Sequence, residues 1–406
     1  MAVLLTESAS LTSRETLTAL GRRGIITDVV SSGTFTIGRF SRWTRRSIKL
    51  PSAVADPAAY VMGVGRLAEQ YEAILPTHEQ AWLLAVGRTL LPATAPIALA
   101  SSGAFDQIQG KVAFAQLLDR LGLPQPRWWT PDRPPARLPP AYWFKSSFST
   151  AGLGVRRVTS QSELCQALDE LSVTGQTIMC QENAVGEYGQ VQALFERGRI
   201  FAAHCSLRAG EGVGGSAAAR MSVDHPLARE AAARIGRELD WHGGLTLDYF
   251  YVAGRPQFIE CNARTVEPGN AAAAGVDLPE LTIALTRGLP LPESCIIGRP
   301  GVLTHSSMAL ALGAAGSGSW RKVWNAIHFD GGPGSPSEVL TPVREDPLSA
   351  IPFAVSVGGA MFSSAGTKAL ARGAVERYAV TPEIIERLRV AIRRGPQPPA
   401  RSSLLG

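Results

Sequence analysis

The chain has 406 residues, 45% hydrophobic and 18% charged, with a net charge of +6. That length leaves room for two or three domains with sizeable cores, and the balance of residue types excludes a disordered chain. The positive charge is scattered, with short clusters only at Arg42, Arg45 and Arg46 around Trp43 and at Arg393 and Arg394, which excludes a nucleic-acid-binding stripe with repeated aromatics.

The opening Met1-Ala-Val-Leu-Leu-Thr-Glu is too short and too early acidic for a signal peptide. Residues 2–5 read as a buried strand, Leu11 to Arg23 as a helix stopped by Gly24, and Ile25 to Val30 as a second strand. This βαβ start implies a parallel sheet, and no GxGxxG dinucleotide fingerprint follows its first strand. A later strand, Tyr71 to Thr77, ends where ligands sit in an open parallel sheet, which places Thr77, His78 and Glu79 for substrate contact. Lys111 opens a helix closed by Gly122, and a stiff Pro-rich connector follows (Pro131 to Pro140). Strands and helices alternate from Tyr142 to about Leu285. A Pro/Gly-rich stretch at 290–301 then precedes a mainly helical remainder. No stretch of about 18 apolar residues exists, so no membrane span is expected. Five dispersed cysteines without a CxxC pair fit a reducing cytoplasm.

Lysine occupies only positions 49, 111, 145, 322 and 368 among the 40 basic residues, so each marks a place where a compact ammonium is preferred to a guanidinium. Lys145 ends the apolar strand Trp143-Phe-Lys, where a buried ammonium needs an anionic partner. The small-residue loop after it, with Ser149, Gly152 and Gly154, offers backbone N–H groups to phosphate oxygens. The strand Thr177-Ile-Met-Cys-Gln-Glu ends in the polar turn Asn183-Ala-Val-Gly-Glu187. Its backbone from Glu182 to Val185 could read adenine, with a nearby carboxylate on the ribose.

The decisive segment is Gly244-Leu-Thr-Leu-Asp-Tyr-Phe-Tyr-Val with Pro256-Gln-Phe-Ile-Glu-Cys-Asn-Ala-Arg, two apolar strands joined by a hairpin turn. Side chains alternate along a strand, so Glu260, Asn262 and Arg264 share one face, and Asp248 on the neighbouring strand is placed to join them. Two carboxylates and a carboxamide make an all-oxygen set suited to magnesium, and Arg264 would stabilise transferring phosphoryl charge.

In order and spacing these pieces resemble the ATP-grasp superfamily over about residues 1–290. The resemblance rests on Lys111 before a helix, Lys145 with the loop to Gly154, Gln181-Glu182 with Gly186, Asp248, and Glu260-Cys-Asn-Ala-Arg264. It implies an α/β fold: an N-terminal Rossmann-like lobe (1–108), an ATP-grasp core (109–290; small lobe about 142–185, large lobe about 186–290) and a mainly helical segment (291–406). It implies ATP bound by Lys111, Lys145, Ser149, Gly152, Gly154, Gln181, Glu182, Asn183, Val185 and Glu187. One or two magnesium ions, or manganese, would sit on Asp248, Glu260 and Asn262, with Arg264, Lys145 and Arg220 serving catalysis. In many relatives the ribose-binding glutamate comes two residues after the hinge glycine; here that position is Tyr188, and Glu187 is offset by one. Arg220, after Gly214-Gly-Ser-Ala-Ala-Ala, resembles a substrate-carboxylate binder in peptide-ligase-like members. The implied activity is ADP-forming ligation of a carboxylate to an amine through an acyl phosphate. Activation of bicarbonate or formate, or a non-catalytic nucleotide-binding module, stand as alternatives. The expected partners are small-molecule carboxylate and amine substrates, without nucleic acid or membrane and with a homodimer left open.

Overall fold

The computed structural model describes residues 2–33, 35–149, 154–172, 175–315, 319–328, 337–362 and 379–395. At the N-terminus, β1 (Ala2–Leu5), β2 (Ile26–Ser31), β3 (Thr44–Lys49) and β4 (Ala73–Leu75) form a parallel sheet in the order β3-β2-β1-β4. The buried residues Val3, Leu4 and Leu5 of β1 give the continuous apolar run that a sheet covered on both faces requires. The connecting helix α1 (Leu11–Arg22) starts at Ser10, whose hydroxyl accepts from the Ser13 backbone N–H at 3.1 Å. The second strand lies one residue later than its apolar run suggests.

The strand β3 was not legible, because Thr-Arg-Arg-Ser-Ile-Lys reads as a polar cluster. At the sheet edge Arg45 and Arg46 instead grip the fully buried Asp28, at 2.7 and 2.8 Å. Burial alone would raise the Asp28 pKa; hydrogen bonds from Arg45, Tyr71 and Arg46 outweigh it and bring it to about 2. The basic cluster is thus part of the sheet's own electrostatics.

A second, antiparallel sheet contains β5 (Trp128–Trp129), β6 (Tyr142–Ser146), β7 (Val155–Val158) and β8 (Ile178–Glu182), in the order β5-β8-β6-β7. The short β5 lies just before the Pro-rich run. Four residues after β8 the chain enters the largest sheet: β9 (Glu187–Glu196), β10 (Arg199–Glu211), β11 (Ala217–Val223), β12 (Gly243–Val252) and β13 (Arg255–Asn262). Its order is β13-β12-β9-β10-β11, extended by β15 (Leu303–His305) and β16 (Ser337–Glu338), while β14 (Ile296–Ile297) pairs with β10. Gly186 in the link has φ 119°, and a Cβ there would lie 2.2 Å from the Tyr251 carbonyl oxygen, so only glycine fits.

After residue 302 the described residues are mainly helical, as expected, but they also supply β15 and β16, too short to leave a pattern in sequence. The last helix, Pro382–Arg394, packs on the N-terminal helices Pro57–Leu67 and Gln80–Val86. Deep between the chain's two ends, Arg14 donates to Asp346 at 2.7 Å, with both side chains fully buried.

Candidate active site

The hairpin β12–β13 turns on Ala253 and Gly254, both with positive φ, the two-residue geometry that matches strand twist. The register sets Asp248 directly opposite Glu260 and Thr246 opposite Asn262, so both carboxylates and the carboxamide share one face. Between Asp248 and Tyr249 the register shifts, leaving Ile259 as an extra residue that re-aims the chain beside Glu260. Asn262 donates to Asp248 at 3.3 Å and accepts from Arg264 at 3.1 Å, while a second Arg264 nitrogen donates to His78 Nε2 at 3.2 Å. Burial, with Arg264 beside it, holds His78 well below the usual histidine range, so it meets the guanidinium as a neutral acceptor. Burial, reinforced by Glu260, pushes the Asp248 carboxyl up to about 7, against a hydrogen bond from the Tyr188 hydroxyl.

The helix Lys111–Leu121 brings its first residue to this face. The Lys111 backbone N–H donates to the Ser147 carbonyl at 2.9 Å, tying the helix start to the end of β6. Its ammonium reaches the Ser149 carbonyl (3.0 Å) and hydroxyl (3.1 Å) and pairs with Glu260 at 3.3 Å, joining the small sheet's loop to the large sheet's carboxylate. A lysine at a helix N-terminus works against the helix dipole and concentrates positive charge where an anion would relieve it. Lys145, in β6, donates to Gln181 at 2.7 Å; burial lowers its ammonium to about 8, with Glu260 opposing and Lys111 reinforcing the shift. Both lysines are under 10% exposed. Lys111, Lys145 and Glu260 therefore meet in one place.

The hinge positions fare differently. Gln181 is buried against Lys145, Glu182 pairs with Arg127 at 2.7 Å, and Asn183 accepts from the Trp143 indole at 3.0 Å. Val185 and Glu187 are exposed beside the hinge glycine. Gly154 closes the loop, its carbonyl accepting from Ser146 N–H at 2.9 Å; Gly152 lies outside the described residues. Thr77 bonds Glu7, Glu79 accepts from the Val380 backbone N–H at 2.7 Å, and His78 accepts from Arg264.

Arg220 sits mid-strand in β11 and is buried, not a solvated loop arginine; one nitrogen pairs with Glu267 at 3.1 Å. Glu267 holds a left-handed backbone (φ 47°), and its N–H donates to Thr12 on α1. Glu15, one turn further along α1, accepts from Gly269 N–H at 2.9 Å, and burial with the nearby Glu267 raises its pKa above the ordinary carboxylate range. Glu15 and Glu267 were not found from sequence, and Tyr188 was noted only as the residue standing where many relatives carry a ribose-binding glutamate. Only contacts mark Glu15 and Glu267, although Glu267 follows Arg264 by three residues.

Among the described residues no three His, Cys, Asp or Glu side chains gather as a metal cage. Two carboxylates and an amide oxygen nevertheless fit a hard divalent cation that draws its remaining ligands from phosphate and water. A buried carboxyl raised to about 7 is a group that such a cation would restore to the charged form.

No protein-family model matches the sequence, and no curated protein is similar enough to count as a relative. Solved structures are similar in fold. Biotin carboxylase from Campylobacter jejuni superposes with a TM-score of 0.55 at 17% identity, over 72% of each chain. An L-amino acid ligase from Bacillus licheniformis gives 0.53 at 14% identity, over 70% of this chain and 74% of that one. N5-carboxyaminoimidazole ribonucleotide synthetase from Thermus thermophilus gives 0.55 at 17%, over 75% and 81%.

Proposed function

The chain has the ATP-grasp fold, and from that premise we propose that it is an ADP-forming ligase that joins a carboxylate to an amine. The carrying observation is the meeting of Lys111 and Lys145 with Glu260, directly opposite Asp248 and followed by Asn262 and Arg264. Lys111 and Lys145 hold the phosphates of ATP, and the Glu182–Glu187 hinge holds its base and sugar. Asp248, Glu260 and Asn262 would hold magnesium, which supplies charge neutralisation on the β- and γ-phosphates. The substrate carboxylate attacks the γ-phosphorus in line, the bond to the β-phosphate oxygen breaks, and ADP leaves. Arg264, fixed between Asn262 and His78, faces the charge on the moving phosphoryl group. The amine then attacks the acyl carbon, phosphate departs, and the amine loses a proton to give the amide. The similar ligase from Bacillus licheniformis supports this reading, while the similar carboxylase from Campylobacter jejuni makes bicarbonate the control substrate.

The test is ADP and phosphate release with Mg-ATP over amino acids singly and in pairs, and over bicarbonate alone. Release that needs two co-substrates, and that Glu260→Ala and Asn262→Ala each cut by about 100-fold or more, is expected. Turnover with bicarbonate alone, or undiminished in both variants, overturns the reading.

A further inference from the structure

Two buried polar side chains on the floor of the large sheet, Gln190 and Ser206, play no part in the chemistry above. The strand register sets Glu260, Asp248, Gln190, Ser206 and Ser222 side by side across β13, β12, β9, β10 and β11. Directly opposed residues of neighbouring strands point to the same face. The row starts at Lys111, which pairs with Glu260, and runs inward past the candidate metal ligands. Gln190 is 1% exposed, yet neither its Oε1 nor its Nε2 has a hydrogen-bond partner. The same holds for the Ser206 hydroxyl and for Nε and one terminal nitrogen of Arg220, two residues along β11 from Ser222. Buried polar atoms are nearly always paired, because leaving one unpaired forfeits its hydration without return. Several on one face, next to a carboxylate pair, mark a surface shaped for a polar molecule. A cation does not account for them, since it could use Gln190 Oε1 but neither the amide N–H groups nor those of Arg220.

We propose that Gln190, with Ser206 and the unpaired N–H groups of Arg220, is the specificity-determining subsite for the second substrate. This rests on the ligase reading and adds the substrate's class to it. The ligand carries a carboxylate for Arg220 and a neutral group that both donates and accepts for Gln190, as a hydroxyl or primary amide does. A carboxamide satisfies such a group at both atoms, whereas an apolar side chain would leave both unpaired.

The experiment uses the full chain, thermal unfolding and calorimetric titration, with a non-hydrolysable Mg-ATP analogue and a panel of the common amino acids. Gln190→Met removes two unpaired buried atoms at similar volume, so its ligand-free Tm should rise by about 2 °C. Its stabilisation by the nucleotide analogue should be unchanged. Wild type should bind a hydroxyl- or amide-bearing amino acid on top of the nucleotide, and Gln190→Met should bind it about tenfold or more weakly. Gln190→Glu should shift preference toward cationic side chains. A lowered Tm in Gln190→Met, equal binding by that variant, or no panel member binding wild type overturns the subsite. Loss of nucleotide-dependent stabilisation in wild type itself would instead overturn the ligase reading.

Discussion

Lys145 shows how far one residue's chemistry is set by its surroundings. Its sequence neighbours make it a strand residue, and burial then lowers its ammonium to about 8. A lowered lysine pKa means that the charged form is disfavoured before ligand arrives, and that a phosphate oxygen restores it. Nucleotide binding should therefore take up a proton above pH 8, and affinity should fall with rising pH there by at most about tenfold per unit. Lys145→Arg, whose guanidinium does not deprotonate, should flatten that dependence. Titration calorimetry in two buffers of different ionisation enthalpy reads the uptake directly; a wild-type profile as flat as the variant's would refute it. Arg220 and Glu267 carry the same lesson: nothing local says that an arginine after a glycine-rich turn will be buried against a glutamate from another strand's exit.

Among the elements, the hinge carries the strongest constraint. Gly186 combines φ 119° with a Tyr251 carbonyl where its Cβ would be, so Gly186→Ala should cost about 2–4 kcal/mol through strain and displacement of β12. Urea unfolding measures this, and a loss under about 0.5 kcal/mol, the level of a neutral surface change, contradicts it. Long, periodic elements were legible: the βαβ start, the helix from Lys111 to its left-handed Gly122, and the hairpin of the carboxylates. Alternation alone put Glu260, Asn262 and Arg264 on a single face, and only the family resemblance grouped Asp248, Lys111 and Lys145 with them. The strands β3, β5, β15 and β16 were not legible, because two to six residues can have a partner strand but show no periodicity of their own.

Across the whole molecule, segments around Asp346 and Val380 are held against the N-terminal lobe. Arg14 and Asp346 form a fully buried pair, Asp346 also accepts from Arg42 N–H at 2.8 Å, and Glu79 receives the Val380 N–H. Asp346→Ala leaves a buried guanidinium uncompensated and should cost about 3–5 kcal/mol, while Arg14→Met with Asp346→Leu should lose less than either change alone. Denaturant midpoints of these four variants decide it: additive losses in the double variant would mean that the two side chains do not act as a pair. Among the described residues no helix is long and apolar enough to cross a membrane.

Apolar runs and their period fixed which segments became strands and helices near the site, because burial on one face is a local demand on the chain. Alternation along β13 likewise put Glu260 and Asn262 on one face, whereas the bulge at Ile259, visible only in the structure, brought Asp248 opposite Glu260. Only the tertiary structure decided that Lys111 meets Glu260, that His78 backs Arg264, and that Gln190 and Arg220 keep buried atoms unpaired. Those contacts join residues tens to hundreds of positions apart, and their energy depends on a shared desolvated space that no short stretch of sequence encodes.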